Sequence, residues 1–223
     1  MLRKIVDTLS LDDFSLDPPV RGCLHTPAVL NGNALVLTHG AGTNRDAPLL
    51  VALAEAFAAS RYNVLRCDLP FRQERRTGPM SERSKERDRA GLRNAIMMMK
   101  KMVRGTVFLG GHSYGGRQAS MLCATEPELV SGLLLLSYPL HPPRKPEQLR
   151  TQHLPNLRTP SLFVHGTRDP FGSIGELEKA VELIPAKTTV LRIDGGGHDL
   201  GFKKGKSLNV PGTVLAAFSE MFR

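Results

Sequence analysis

The chain has 223 residues, 41% hydrophobic and 23% charged, with 30 basic against 21 acidic side chains and a formal charge of +9. That length suits one domain with a sizeable core, and the composition is that of a soluble globular protein. No apolar run approaches the roughly 20 residues that span a bilayer, and the three scattered cysteines, Cys23, Cys67 and Cys123, offer neither a CxxC pair nor zinc spacing.

The first 33 residues carry little pattern. The opening MLRKIVDTLSLDDFS is partly basic, but Asp7, Asp12 and Asp13 interrupt any signal-peptide apolar region, so the expectation is a cytoplasmic, unprocessed chain. FSLDPPVRGCLHTP is expected to form edge strands or irregular structure. ALVLTHG, residues 34–40, is a short apolar run ended by a turn and reads as a buried strand. DAPLLVALAEAFAAS follows with helical spacing, and Asp46 with Pro48 marks its start. NVLRCDLP is the next strand, with Cys67 inside it as a buried small hydrophobe; Cys123, in a later helix, is read the same way. SKERDRAGLRNAIMMMKKMV is a long helix with Leu92, Ile96, Met99 and Val103 on one face, its methionine cluster read as core packing.

Residues 72–104 hold 11 basic and 4 acidic side chains, a net of +7. Such a surface attracts anionic substrates, nucleic acid or membrane headgroups; a solvated basic helix face is the plainer reading and is preferred. Neither a membrane nor nucleic acid is the expected partner. TVFLGG then reads as a strand, YGGRQASMLCATEP as a helix and GLLLLSYP as a strand buried on both faces. Residues 139–160 carry six prolines and read as a short cap-like insertion, with one short helix expected near 147–153. SLFVHGTRD, GELEKAVELI, TTVLRIDGGGH and SLNVPGTVLAAFSEMFR complete the pattern as strand, helix, strand with loop, and closing helix.

Alternating strands and helices argue an α/β fold: one domain over residues 1–223, with a mainly parallel, doubly wound sheet and helices on both faces. Ligands bind such sheets at the carboxyl ends of the strands. The residues standing there are His39, Gly40, Ala41, Gly42, Asp68, Ser113, Tyr138, Asp169 and His198.

Ser113 lies in G-H-S-Y-G, between Gly111 and Gly115. A serine on a sharp strand-to-helix turn needs small neighbours two residues away so that strand and helix can approach, which is the G-x-S-x-G nucleophile elbow. A serine hydroxyl attacks only when a base takes its proton, and His198, in DGGGHDLGF, is the candidate base. A third group must hold the imidazole's tautomer and balance its charge. Asp169 in HGTRDP is chosen over Asp199 and Asp194, which lie too near His198 in the chain to reach the same ring. His39, His112 and His165 are read as structural, with His112 pointing away from Ser113. A tetrahedral intermediate needs N–H donors, for which the backbones of Tyr114 and Ala41 are the candidates, with Gly42 next. Gly42, Arg72 and Tyr138 are candidate substrate contacts. Arg72, Arg75 and Arg76 follow a strand and stand either to meet an acidic group on a substrate or to be solvated.

THGAG, GGHSYGG, HGTRDP and GGGHD resemble the α/β-hydrolase superfamily over nearly the whole chain from Ala34 onward. DLPFRQ and SYPLHPPRKPEQLR, running into HLPNLRTPSLFVHGTRDPFG, look like its small dienelactone-hydrolase-like group, which takes in the KANL and testis-expressed-type hydrolases. The resemblance implies the triad Ser113, Asp169 and His198. True dienelactone hydrolases use a cysteine where this chain has Ser113. The expected activity is cleavage of a carboxylic ester or thioester through an acyl-enzyme, without metal or organic cofactor. Only residues 139–160 stand where larger esterases carry a lid, so small or flexible acyl groups are expected rather than a large apolar tunnel. The reading from another class is a non-catalytic hydrolase-like module that binds protein or nucleic acid through residues 72–104.

Overall fold

Short runs of apolar residues, each stopped by a glycine, proline or polar turn, supply the central strands of one sheet. The computed structural model describes residues 6–78, 84–202 and 209–223; residues 1–5 of the opening segment, Glu82 and Arg83 of the basic stretch, and Ser207 and Leu208 of the closing segment lie outside the described residues. The strands are β1 (Val6–Asp13), β2 (Val20–Pro27), β3 (Ala34–Thr38), β4 (Asn63–Cys67), β5 (Val107–His112), β6 (Leu133–Leu136), β7 (Ser161–Gly166) and β8 (Thr188–Ile193). Among the described residues they form one eight-stranded sheet in the order β1-β2-β4-β3-β5-β6-β7-β8. From β4 to β8 every pairing is parallel, while β1 on β2 and β2 on β4 are antiparallel.

The helices are α1 (Pro48–Ala59), α2 (Pro70–Glu74), α3 (Ser84–Met102), α4 (Tyr114–Thr125), α5 (Ile174–Val181) and α6 (Val210–Met221). They sort to two faces because strand side chains alternate. In β6, Leu133 and Leu135 join the core beneath α3, α4 and α5, while Leu134 and Leu136 join the core beneath α1 and α6. Each fully buried leucine contributes about 1.5–3 kcal/mol, so a strand of four leucines with a layer on each side is a strong local anchor. This is the mainly parallel, doubly wound α/β arrangement that the sequence leads one to expect. No helix among the described residues is long and apolar enough to cross a membrane.

One local expectation is borne out: the opening segment forms strands at the sheet edge, with β1 largely exposed and β2 buried where it meets β4. Several others differ from the structure. No helix forms at 147–153; a single 3-10 turn, Leu154–Asn156, follows instead, consistent with Pro155, whose ring clashes with a helical carbonyl four residues back and restricts the residue before it. Of the methionine cluster only Met99 is fully buried, while Met97 and Met102 are exposed. Asp46 does not cap α1, whose cap position is Ala47; its carboxylate instead pairs with Arg66 at 3.1 Å. Cys67 and Cys123 are buried as expected, and burial pushes both thiols up to about 12.

Candidate active site

The site begins with a backbone constraint. Ser113 sits between β5 and α4 with φ 52° and ψ −117°, a left-handed conformation that non-glycine residues rarely adopt. The turn closes because its neighbours lack side chains. A Cβ on Gly111 would stand 2.5 Å from Gly115 and Gly116, and one on Gly115 would stand 2.5 Å from the His39 carbonyl. The Ser113 N–H donates to the Leu136 carbonyl at 2.8 Å, which ties the turn to the end of β6.

Two further strand ends bring up the partners. His198 Nε2 lies 2.8 Å from Ser113 Oγ. On the other side of the ring, His198 Nδ1 lies 2.8 Å from Asp169 Oδ2 and 3.1 Å from Oδ1. The Asp169 carboxylate is fully buried and also accepts the Phe171 N–H at 2.9 Å. A buried carboxylate on Nδ1 favours the tautomer with Nδ1–H, which leaves Nε2 as an acceptor facing the serine hydroxyl. The loop that carries His198 crosses directly over β7, since a Cβ on Gly166 would meet the Gly196 carbonyl at 2.3 Å.

The 40–43 loop flanks the serine and is braced from behind. Arg72, on α2, is buried, and its guanidinium donates to the carbonyls of Ala41, Thr43 and Arg75. His39 is buried too; its Nδ1 bonds the Gly40 carbonyl at 2.8 Å and its Nε2 accepts the Leu69 N–H at 3.1 Å, with burial holding the ring below the ordinary histidine range. The carboxylate of Asp88, on α3, accepts the Phe71 N–H at 3.0 Å and the Tyr114 hydroxyl at 2.7 Å. One buried carboxylate thus links the start of α2 to the first residue of α4. Tyr114 opens α4, where the backbone N–H has no intrahelical acceptor.

Comparison with known proteins fits this geometry. The model of the alpha/beta hydrolase domain family matches residues 31–221. The chain belongs to the α/β-hydrolase family. Its fold is similar to that of dienelactone hydrolase from Anabaena variabilis, with 20% identity, 98% of each chain covered and a TM-score of 0.76. It is also similar to a lidless α/β serine hydrolase from Xanthomonas campestris, at 16% identity, covering 100% of this chain and 97% of that one, with a TM-score of 0.73. A 73-residue stretch is 40% identical to the polyketide synthase ThaQ of Burkholderia thailandensis; the match spans 33% of this chain and 3% of that much longer protein.

In this α/β hydrolase the serine faces a cleft of about 780 Å³. Ala41, Gly42, Ser113, Tyr114 and His198 all line it. Two candidate contacts do not. Tyr138 is 1% exposed and turns into the core, its hydroxyl 3.2 Å from the Arg150 carbonyl, because the chain after β6 folds back beneath residues 139–160. Arg72 lines only a smaller adjoining hollow, and its donors are spent on loop carbonyls, so it shapes the site rather than meeting an anion in the main cleft. The cleft also has more room than small acyl groups need, with α1 contributing Leu49 and Leu50 to its wall.

Other residues of the site escaped the sequence reading. His112 lines the cleft instead of pointing away, and its Nε2 bonds the His198 carbonyl at 2.8 Å. Burial pushes His112 down to about 4, so the ring is neutral and donates that bond. The Phe171 ring lies against the His198 imidazole, with centroids 4.2 Å apart and planes 33° from parallel. The signal for Phe171 was its place in the turn after β7, two residues beyond Asp169, whose carboxylate accepts its N–H. Arg117 and Arg150 line the cleft as well.

Proposed function

We propose that the chain is a serine hydrolase that cleaves a carboxylic ester or thioester through an acyl-enzyme. The observation that carries this reading is the unbroken chain of contacts from Asp169 through His198 to Ser113, with 2.8 Å on each side of the imidazole. Ser113 Oγ attacks the carbonyl carbon as His198 Nε2 takes its proton. Asp169 holds Nδ1–H and stabilises the imidazolium that forms. The backbone N–H groups of Tyr114 and Ala41, with Gly42 beside them, receive the oxyanion. The bond from Arg72 to the Ala41 carbonyl holds the peptide that carries the Gly42 N–H, and the bond from the Tyr114 hydroxyl to Asp88 anchors Tyr114, which supports a donor set that is in place before substrate arrives. When the intermediate collapses, the C–O or C–S bond breaks and His198 returns the proton to the departing alcohol or thiol. Water, deprotonated by the same imidazole, then attacks the acyl carbon; the acyl C–Oγ bond breaks as His198 gives that proton to Ser113 Oγ, which releases the acid and restores both side chains. The same machinery can serve an amide.

Family membership supports hydrolase chemistry, and the cleft volume falls in the range of small-molecule sites. The binding-module reading has less support. Arg72 is buried, Arg87 pairs with Asp17 and Glu74, Arg89 bonds Gln118, and Arg93 pairs with Glu126, so these four of the eleven basic side chains of this stretch are engaged by other residues of the chain.

A fluorophosphonate probe tests the proposal. The protein should be labelled, and Ser113→Ala should not. A protein that is folded yet inert to the probe and to p-nitrophenyl esters of every chain length would contradict the reading.

A further inference from the structure

One wall of the cleft has no part in the proposed chemistry. Arg117 follows Ser113 by one helical turn, and its N–H donates to the Ser113 carbonyl at 3.0 Å. Ser113 is the cap of α4 and Arg117 stands in the first turn of that helix. Both line the cleft. The Arg117 guanidinium forms no hydrogen bond or ion pair with any described residue, and its buried Nε has no acceptor.

Arg150 reaches the same cleft from the 139–160 segment. Its backbone is fixed, with the N–H on the Leu140 carbonyl at 2.8 Å. Its guanidinium makes one long contact, 3.4 Å to the Pro139 carbonyl. Burial, and after it the charge of Arg117, lower the pKa of Arg150. The same two causes push His153 down to about 4. The two guanidiniums are therefore near enough to oppose each other, and neither has a carboxylate partner among the described residues. Elsewhere this chain pairs a half-buried arginine, as in Arg93 with Glu126. The acidic side chain on the cleft lining is Asp199, whose Oδ1 accepts the Gly201 N–H at 2.9 Å.

Two like charges, partly desolvated and without a counter-ion, are unfavourable in the free protein. An anion placed between them removes the repulsion and supplies the missing acceptor. A guanidinium is planar and offers paired donors that match the two oxygens of a carboxylate. The rest of the cleft lining includes the apolar side chains of Pro139, Leu49 and Phe202, which suits a hydrocarbon chain linking two polar ends.

We propose that Arg117 and Arg150 form a carboxylate-binding subsite of the cleft, so that the preferred substrate is an ester or thioester bearing a second, free carboxylate, as in the half-ester of a dicarboxylic acid. The scissile bond rests on the hydrolase reading above; the subsite itself is a matter of binding and is tested apart from it.

Two p-nitrophenyl esters of equal length decide the question: the hemiadipate, with a terminal carboxylate, and the hexanoate, without one. The expected result is a kcat/KM at least about tenfold higher for the hemiadipate. Arg117→Gln and Arg150→Gln should each cut that ratio by about tenfold, chiefly by raising KM for the acid. A wild-type ratio near one, or a ratio that survives both substitutions, overturns the subsite. In parallel, monomethyl adipate and methyl hexanoate are titrated into Ser113→Ala by NMR. Saturable binding of the acid, lost in Ser113→Ala/Arg117→Gln, supports the subsite even if no ester is turned over. Equal binding of the two compounds, or none of the acid, overturns it. A wild-type protein that hydrolyses neither ester and ignores the fluorophosphonate fails as a hydrolase, while the titration still decides the subsite.

Discussion

The turn after β4 and the turn after β5 are built from similar parts and do opposite things. Each follows a short buried strand in the parallel part of the sheet and leads into a helix. After β5, glycines on both sides let the chain turn so tightly that Ser113 takes φ 52° and its hydroxyl meets His198 in the cleft. After β4, the chain passes through Asp68, Leu69 and Pro70, and Arg72 folds back onto the carbonyls of Ala41 and Thr43. The first turn presents a side chain; the second braces a loop. A place at a strand end says where a residue stands. Whether it faces the ligand depends on which backbone groups nearby lack partners, and an arginine beside unpaired carbonyls is drawn to them rather than to solvent.

The two turns should break differently. On the presenting side, Asp169→Asn leaves the volume unchanged but removes the charge that balances the imidazolium and favours the wrong tautomer. On a p-nitrophenyl ester, kcat should fall by about 10³–10⁴ with a small change in KM. On the bracing side, Arg72→Ala should act on both activity and stability. Losing the charged donors to buried carbonyls should destabilise the fold by about 2 kcal/mol, read as a lower midpoint in urea. Release of the Ala41 loop should lower kcat by about 10- to 100-fold, less than the roughly 10²–10³ that follows outright loss of an oxyanion donor, because the donor is loosened rather than removed. Arg72→Lys, which keeps the charge without the planar fork, should recover part of each. If Arg72→Ala changed KM for acidic esters alone, the arginine would be a substrate contact and the contrast between the turns would fail.

A smaller effect concerns pH. His112 on the presenting side, and His25 and His153 elsewhere, are pushed down to about 4, chiefly by burial. The unfolded chain takes up these protons near the ordinary 6.5, so the stability from neutral rings is complete above that pH and is lost as pH falls toward 4. Thermal midpoints measured from pH 7.5 to 4.5 should drop through this window, and His112→Gln should shallow the slope. A slope unchanged in His112→Gln would show that this ring is not held neutral.

Much of the fold was legible because the central strands are short and strongly apolar. A run such as Leu133 to Leu136 between turn residues has few alternatives to a strand buried on both faces. The β1–β2 hairpin was less legible, since β1 reads VDTLSLDD and gains its place from pairing with β2 rather than from burial of its own. Ser113, Asp169 and His198 stood out because chemistry, chain order and strand ends pointed to the same three positions, and the structure brings them within hydrogen-bonding distance. Tyr138 shared the strand-end position but not the direction, which the fold-back of the following segment determines. Phe171, His112, Arg117 and Arg150 carry no motif; each matters through contacts between distant parts of the chain, such as His112 with the His198 carbonyl, 86 residues away.

The most direct test of the central claim is peptide mass spectrometry of the protein after reaction with a fluorophosphonate. The account predicts one adduct per chain, on the peptide containing Ser113, abolished in Ser113→Ala and strongly slowed in His198→Ala. An adduct on another residue, or equal labelling of wild type and Ser113→Ala, would contradict it.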